Sequence, residues 1–546
     1  MRTEQEQAIT KKLKKRGQRM LHVEAAIASG ARHDIEKRLT GKYYTPYCVS
    51  DRLAELSMVG DRIKSVCDPF CGDGRLIVSL IERSRSEDYL KTLKHIVLFD
   101  RDAVAVEEAE NNVRNALRDV SRSDVTVESK VVDTFLLPIT ERYDLVITNP
   151  PWEQLKPDSR DQVADSSLYK DAIRDYSKVI ADSFPSAATS KKRSVGGYNI
   201  NLARAGAIAA IEMTEIGGQT LIVLPSTIFC DQVSTEFRNN FLSSVKVDSL
   251  EYYPAEAKLF KGVDQSFVTI SAQRGKRTGP FSLTRYKSDL SILDQREHHV
   301  ECLSDTIPLS IGGREQKLIQ EIQSEHPHLS CLEKDPRYRL RLGREIDETR
   351  IAESFTESNR GIPFLKGRNV NRFSFVDDGL PRICPETKKI PRSVSYQRLV
   401  WRDVSRPSQK RRVQACILGP GIVTGNSLGV AYFCAQDPEL LKALLAVVNS
   451  LVFEVQVRSI LATNHISQGA LRKCSVPHIA FEDVSVRSKL AYLVDTISSS
   501  GFSPEIEVEV AKSYGLNRDQ FFELLAPFSK LEEREVNALM ERTLWV

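Results

Sequence analysis

Between residues 41 and 300, short apolar runs alternate with stretches of helical spacing, and no other feature of the 546-residue sequence constrains the fold as much. Ser65–Asp68 ends one apolar strand, and His95–Asp100 (HIVLFD) is a second. Val125–Val132 alternates as a third, Tyr143–Thr148 (YDLVIT) is a fourth and Gln219–Pro225 (QTLIVLP) a fifth. Helical spacing falls between them, over Arg75–Arg83, Ala103–Leu117 and Asn201–Glu215. Strands separated by helical crossovers line up in parallel with helices on both faces, so the pattern predicts an α/β fold built on a doubly wound, mainly parallel sheet.

Beyond residue 300 the texture changes. Strands shorten, and Gly, Pro and Arg become frequent up to about residue 435; Leu440–Leu461 then has helical spacing, and 483–546 is mostly helical and charged. At ~150 residues per domain the length leaves room for three or four. The expected division is a helical segment over 1–40, an α/β domain over 41–300, an α+β domain over 301–482 and a helical tail over 483–546. Within 1–40, Lys11, Lys12, Lys14, Lys15 and Arg16 form a basic run, expected as a solvated helix face. Lys and Arg total 77 against 73 Asp and Glu, so any polyanion contact must come from a local patch.

The N-terminus is charged rather than apolar, and no run reaches the roughly 18 apolar residues of a spanning helix, so a cytoplasmic location with no membrane partner is expected. The ten cysteines form no C-x-x-C pair and no Cys/His cluster with metal spacing, which predicts free thiols and no metal.

Four positions at the predicted strand ends can carry chemistry. Asp68-Pro69-Phe70-Cys71-Gly72-Asp73-Gly74 joins the first strand to its helix; Gly72 and Gly74 permit a tight turn and close approach of backbone to a ligand. Asp100 ends the next strand, where a carboxylate can accept from both ribose hydroxyls. Asp102, two residues on, is a candidate cap for the following helix, the role either acid would take by itself. Asp133 follows a further strand and can accept from an adenine amino group. Three acids behind one glycine loop, with no G-x-G-x-x-G, favour an adenosyl ligand over a dinucleotide. Asn149-Pro150-Pro151-Trp152 follows YDLVIT directly. Its prolines fix the backbone and remove two donors, which leaves the Asn149 amide oxygen and the Pro150 carbonyl to accept the hydrogens of an exocyclic amine. Trp152 offers a flat face to a base.

Taken together these residues resemble the γ-class N6-adenine DNA methyltransferases of type II restriction–modification systems. Gly41-Lys42-Tyr43-Tyr44-Thr45-Pro46 resembles the Y-T-P segment that closes over the methionine end of S-adenosylmethionine. The glycine loop, Asp100, Asp133 and NPPW follow in the family's order. Tyr198–Leu202 and GGQTLIVLPSTIF resemble the next helix and strand, and Ala257–Lys261 the segment whose aromatic, here Phe260, stacks on a flipped base. The resemblance spans roughly 41–275 and continues more weakly through Gly361–Phe373, Leu444–Ser450 and His465–Leu471, which look like parts of a target-recognition domain. Two positions depart from the pattern: Trp152 stands where Tyr or Phe is frequent, and Asp73 lies between the two glycines.

The resemblance implies a class I methyltransferase fold. It implies S-adenosylmethionine held by Tyr44, Thr45, Asp68, Pro69, Cys71, Gly72, Gly74, Asp100 and Asp133. Asn149, Pro150, Trp152 and Phe260 would handle a flipped adenine of double-stranded DNA, with Trp152 on one face of the base and Phe260 on the other. The donor is already a cation with a good leaving group, so Cys67 and Cys71 need not be nucleophiles. A monomer that protects host DNA, with a separate endonuclease sharing its target site, is the expected setting. Glu153–Gly197 is a long polar stretch, expected as a loop that orders on DNA. Arg392–Arg412 holds seven Lys or Arg against one acid, with Tyr396 and Trp401 interleaved. Arg398, Arg402, Lys410, Arg411 and Arg412 are therefore the expected phosphate and base contacts. RNA and protein-glutamine methylation share the motif but belong to shorter chains. A bifunctional enzyme that also cuts DNA would need a nuclease constellation, and no P-D…(D/E)-x-K pattern is evident. Cytosine N4 is left open by the motif alone.

Overall fold

The strands predicted at Ser65–Asp68 (β1), His95–Asp100 (β2) and Tyr143–Thr148 (β4) form with those bounds, and Thr126–Val131 (β3) and Thr214–Pro225 (β5) complete a parallel set. The computed structural model describes residues 44–57, 63–83, 90–156, 166–188, 200–231, 233–387, 390–406, 408–461, 464–498 and 501–546. The basic run at 11–16, Gly41–Tyr43, Lys191–Arg193, Tyr198 and Asn199 lie outside them. The chain divides into two units, 1–307 and 308–546.

In the first unit four further strands extend the sheet: Val245–Tyr253 (β6), Phe267–Arg274 (β7), Phe281–Tyr286 (β8) and Ile292–His298 (β9). The order across nine strands is β3-β2-β1-β4-β5-β7-β6-β8-β9. β7 runs antiparallel to both its neighbours and β9 to β8, so the sheet is mixed rather than parallel throughout. Adjacent β1 and β4 connect outward in opposite directions, and their C-terminal ends therefore open onto one crevice, the usual ligand site of such sheets.

Helix formation follows apolar spacing. Tyr47–Glu55 (α1) and Arg75–Arg83 (α2) bury Val49, Leu53, Leu76, Ile77, Leu80 and Ile81 against the sheet. Ala103–Asp119 (α3) buries Val106, Ala109, Val113, Ala116 and Leu117, and Asp102 caps it by accepting from Val104 N at 2.9 Å. The expectation of a loop over Glu153–Gly197 needs correction, because Ser166–Ser183 is a helix (α4). Its Ile173, Tyr176 and Ile180, with Phe184 beyond, recur every three or four residues and pack on Leu202–Met213 (α5); polar residues between them disguise the stripe.

The second unit holds two four-stranded sheets. One has the order Leu340–Gly343 (β10), Leu428–Phe433 (β17), Arg398–Arg402 (β14), Ala415–Leu418 (β15); the other has Phe355–Thr356 (β11), Arg382–Ile383 (β13), Ile362–Leu365 (β12), Val423–Thr424 (β16). The apolar run at 440–461 is two helices, Pro438–Asn449 (α6) and Leu451–Ile460 (α7), bent by 59°. Ser450 makes the break: its extended backbone ends α6, and its hydroxyl accepts from Phe453 N to cap α7. Among the described residues no single helix is long and apolar enough to cross a membrane. The helical tail does not stand apart. Val484–Asp495 (α8) and Pro504–Ser513 (α9) contribute Leu490, Ile506, Val510 and Ala511 to the same core as Leu444, Val448 and Phe453.

Candidate functional site

At the end of β1 the chain turns through Gly72 (φ +52°) and Gly74 (φ +79°), both in the left-handed region that favours glycine. Both positions are crowded as well. A Cβ on Gly74 would stand 3.0 Å from the Ala109 backbone, and one on Gly72 would stand 3.2 Å from the Tyr44 ring. Asp100 fastens this loop to β2, accepting from Gly72 N and from Asp102 N, each at 3.0 Å. Asp133 caps a single 3-10 turn by accepting from Phe135 N at 3.0 Å, and it accepts from Tyr176 Oη at 2.7 Å. Its carboxylate thus also has a structural role, that of the turn residue which a loop Asp usually is.

Asp68 is fully buried. Its Oδ1 accepts from Thr148 Oγ1 at 2.7 Å and from Phe70 N at 3.1 Å, while Oδ2 has no hydrogen-bond partner among the described residues. Burial pushes this carboxyl up from the ordinary 3.8 to about 7. Cys67 and Cys71 are buried too, and burial raises both thiols, so neither is a ready thiolate.

The Asp73 departure has a structural explanation. Its carboxylate grips the Arg75 guanidinium, with Nε 3.0 and 2.9 Å from the two oxygens. Arg75 lies over the rings of Tyr44 and Tyr47, and its Nη1 donates to the Thr45 carbonyl at 2.7 Å. This clasp, anchored at the start of α2, holds the 44–47 segment against the glycine loop.

Asn149 follows β4. Its Nδ2 donates to Thr45 Oγ1 at 3.1 Å, and its Oδ1 accepts from Trp152 Nε1 at 3.0 Å. Pro150 and Pro151 are buried. Gly206 of α5 backs the motif, and a Cβ there would meet Pro150 Cβ at 2.3 Å. An alanine normally gains a helix ~1 kcal/mol over glycine. Overpacking against a rigid proline costs ~1–3 kcal/mol, so Gly206→Ala is expected to lower the unfolding temperature of the first unit. A thermal melt checks the sign.

Phe260 is 5% exposed and belongs to the sheet's apolar core. Its ring centroid lies 4.9 Å from that of Trp152, tilted by 59°, and Phe267 closes the cluster at 5.9 Å from Trp152. A base held between two parallel rings needs about 7 Å between them. Trp152 and Phe260, expected on the two faces of a flipped base, rest on one another in this structure.

The basic strip also needs correction. Arg398, Arg411 and Arg412 are 0%, 6% and 3% exposed, and Trp401 is 1% exposed. Arg398 Nε pairs with Glu345 at 2.8 Å. Arg411 bridges Glu454 (2.8 Å) and Glu507 (2.9 Å), and the Arg412 backbone N–H donates to Glu454 at 2.7 Å. Half-buried Arg402 donates to the Val370 carbonyl, and Lys410 pairs with Glu535 at 2.6 Å. Burial alone would raise Glu454, but Arg411 and Arg458 outweigh it and hold the carboxyl at about 2. Arg398 and Arg411 neutralise buried acids inside their own unit, and with buried Arg412 they present no open phosphate-binding face; Arg402 and Lys410 are only partly buried.

The site fits an adenosyl sulfonium ligand: a loop with glycines at its two left-handed positions, acids at three strand ends, and a buried Asp68 oxygen with no partner among the described residues. Residues 31–182 match the sequence model of the N-6 DNA Methylase family. The Type II methyltransferase M.VspI of Vibrio sp. (strain 343) is 26% identical over 131 residues, 24% of this chain and 30% of the relative's length. Among solved structures, one described as the DrdV–DNA complex matches with a TM-score of 0.50 and 10% identity over 87% of this chain and 59% of that chain. A Listeria monocytogenes protein described as of the class I S-adenosylmethionine-dependent methyltransferase type matches with a TM-score of 0.32 and 15% identity over 44% of this chain and 63% of that one. The DrdV likeness bears on the fold alone. The family match covers the glycine loop, Asp100, Asp133 and NPPW.

Proposed function

We propose that the protein transfers a methyl group from S-adenosylmethionine to N6 of an adenine rotated out of duplex DNA, as the modification activity of a restriction–modification system. The reading rests on one observation above all: the Asn149 carboxamide is held by Thr45 and Trp152 at the end of β4, beside the glycine loop. Bound S-adenosylmethionine would supply a methyl group on a cationic sulfur. In this reading Asp100 and Asp133 would accept from ribose and adenine, and Asp68 Oδ2 would face positive charge.

Adenine N6 is a poor nucleophile because its lone pair is delocalised into the ring. Acceptors at Asn149 Oδ1 and the Pro150 carbonyl would pull both amine hydrogens toward a tetrahedral nitrogen and aim the lone pair at the methyl group. Rotating the base out costs a few kcal/mol. Parting Trp152 from Phe260 and stacking the base on them would return ~1–3 kcal/mol. Labelled S-adenosylmethionine offered duplex DNA, RNA and a glutamine-bearing protein substrate tests the reading. Label in DNA alone is expected; label only in RNA or protein would refute it.

Asp68 gives the site a pH dependence. A carboxyl raised from 3.8 to about 7 on folding contributes stability in its neutral form. That contribution is present below about pH 4 and lost as pH rises through about 7. A cationic ligand favours the ionised form, so cofactor affinity should rise with pH over the same window. It should be roughly tenfold tighter at pH 8 than at pH 6. Titration calorimetry at the two pH values checks this, and Asp68→Asn should flatten the difference.

A further inference from the structure

Asn149 stands between two side chains of opposite hydrogen-bonding character. An indole N–H can only donate. The carboxamide atom 3.0 Å from Trp152 Nε1 must therefore be the oxygen, and the nitrogen must face Thr45 Oγ1 at 3.1 Å. Turning the amide over would set N–H against N–H at Trp152 and lose that bond outright. The orientation of an Asn amide is usually ambiguous; here the chemistry of Trp152 fixes it.

Thr45 is itself immobilised. It is buried, its carbonyl accepts from Arg75 Nη1 at 2.7 Å, and Arg75 is gripped by Asp73 between the two glycines. One chain of polar contacts thus runs from Asp73 through Arg75, Thr45 and Asn149 to Trp152. It joins the segment expected around the cofactor to the side chain expected to receive the substrate amine. A carboxamide oxygen can accept two hydrogen bonds, so accepting from the indole is compatible with accepting from an incoming amine.

We propose that Thr45 and the indole N–H of Trp152 are positioning elements for methyl transfer, which together lock the Asn149 carboxamide with its oxygen toward the substrate. Thr45 then acts through Asn149 and not only as part of the cofactor segment, and Trp152 contributes a donor that a Phe or Tyr ring edge at its place lacks. The inference rests on the methyl-transfer reading, and its test carries one readout that needs no turnover.

The test uses the full chain with Thr45→Val, Thr45→Ser and Trp152→Phe. The readouts are the single-turnover rate at saturating S-adenosylmethionine and duplex DNA, the cofactor Kd, and the Trp152 indole N–H resonance, assigned by its loss in Trp152→Phe. Loss of one hydrogen bond predicts about a tenfold lower rate for Thr45→Val at saturating cofactor, where any change in Kd is measured separately and does not enter the rate. The indole resonance should move upfield as the amide loses its fixed orientation. Thr45→Ser, which keeps the hydroxyl, should restore both rate and resonance. Trp152→Phe, which keeps an aromatic face and loses the donor, should also lose about tenfold in rate. An unmoved indole resonance in Thr45→Val, or a Thr45→Ser variant as slow as Thr45→Val, would overturn the inference. Absence of DNA labelling by the unsubstituted protein would overturn the methyl-transfer reading instead, and the indole shift would still decide whether Thr45 orients Asn149.

Discussion

Asn149→Ala is expected to lower single-turnover methyl transfer to duplex DNA by about 10²–10³-fold, the usual cost of removing one pre-oriented polar group from a transition-state site. Cofactor affinity should stay within a few-fold. Most of the groups proposed to hold the cofactor lie on β1, β2, the glycine loop and the turn after β3, and Asn149 meets this set through Thr45. Rate at saturating substrates, measured beside cofactor Kd, separates the two effects. A parallel loss in both would mean that Asn149 shapes the cofactor pocket rather than the reacting amine.

Arg411→Met is expected to destabilise the 308–546 unit by about 3–5 kcal/mol, because it leaves Glu454 and Glu507 charged and buried without their shared partner. With a urea slope of about 2 kcal/mol per molar, the midpoint for that unit should fall by roughly 2 M. Neighbouring Arg372 and Arg458, which also pair with Glu507 and Glu454, would limit the loss. If Arg411 instead served a phosphate, the substitution would leave the midpoint in place and flatten the salt dependence of DNA affinity.

The contrast between these two residues shows what the sequence could carry. The candidate site residues of the first unit lie at or just beyond strand ends, and strands announce themselves by local apolar runs. β1, β2 and β4 were therefore legible to the residue, and with them Asp68, Asp100 and Asn149. The role of Asp102 as a cap was legible for the same reason. Arg398 and Arg411 were not, because the acids that neutralise them, Glu345, Glu454 and Glu507, lie 43 to 96 positions away along the chain. Counting charge along a strip cannot reveal partners brought in by folding.

Three further features were hidden for related reasons. The helix over 166–183 has its apolar stripe spread among polar residues. Gly206 matters only because α5 passes against Pro150, a contact no local pattern signals. The clasp of Asp73 and Arg75 on Thr45 joins segments 30 residues apart, and only the ill-fitting Asp in the glycine loop hinted at it. Phe260 was placed in the right neighbourhood, but its contact with Trp152 depends on how apolar rings close on each other.

Nucleoside analysis of the product tests the central claim most directly. Duplex DNA treated with the protein and methyl-labelled S-adenosylmethionine would be digested to nucleosides and separated. The match to the N-6 DNA Methylase family and the held Asn149 carboxamide lead to the expectation of label in N6-methyldeoxyadenosine, strongly reduced with Asn149→Ala. Label in N4-methyldeoxycytidine, or undiminished label with Asn149→Ala, would contradict it.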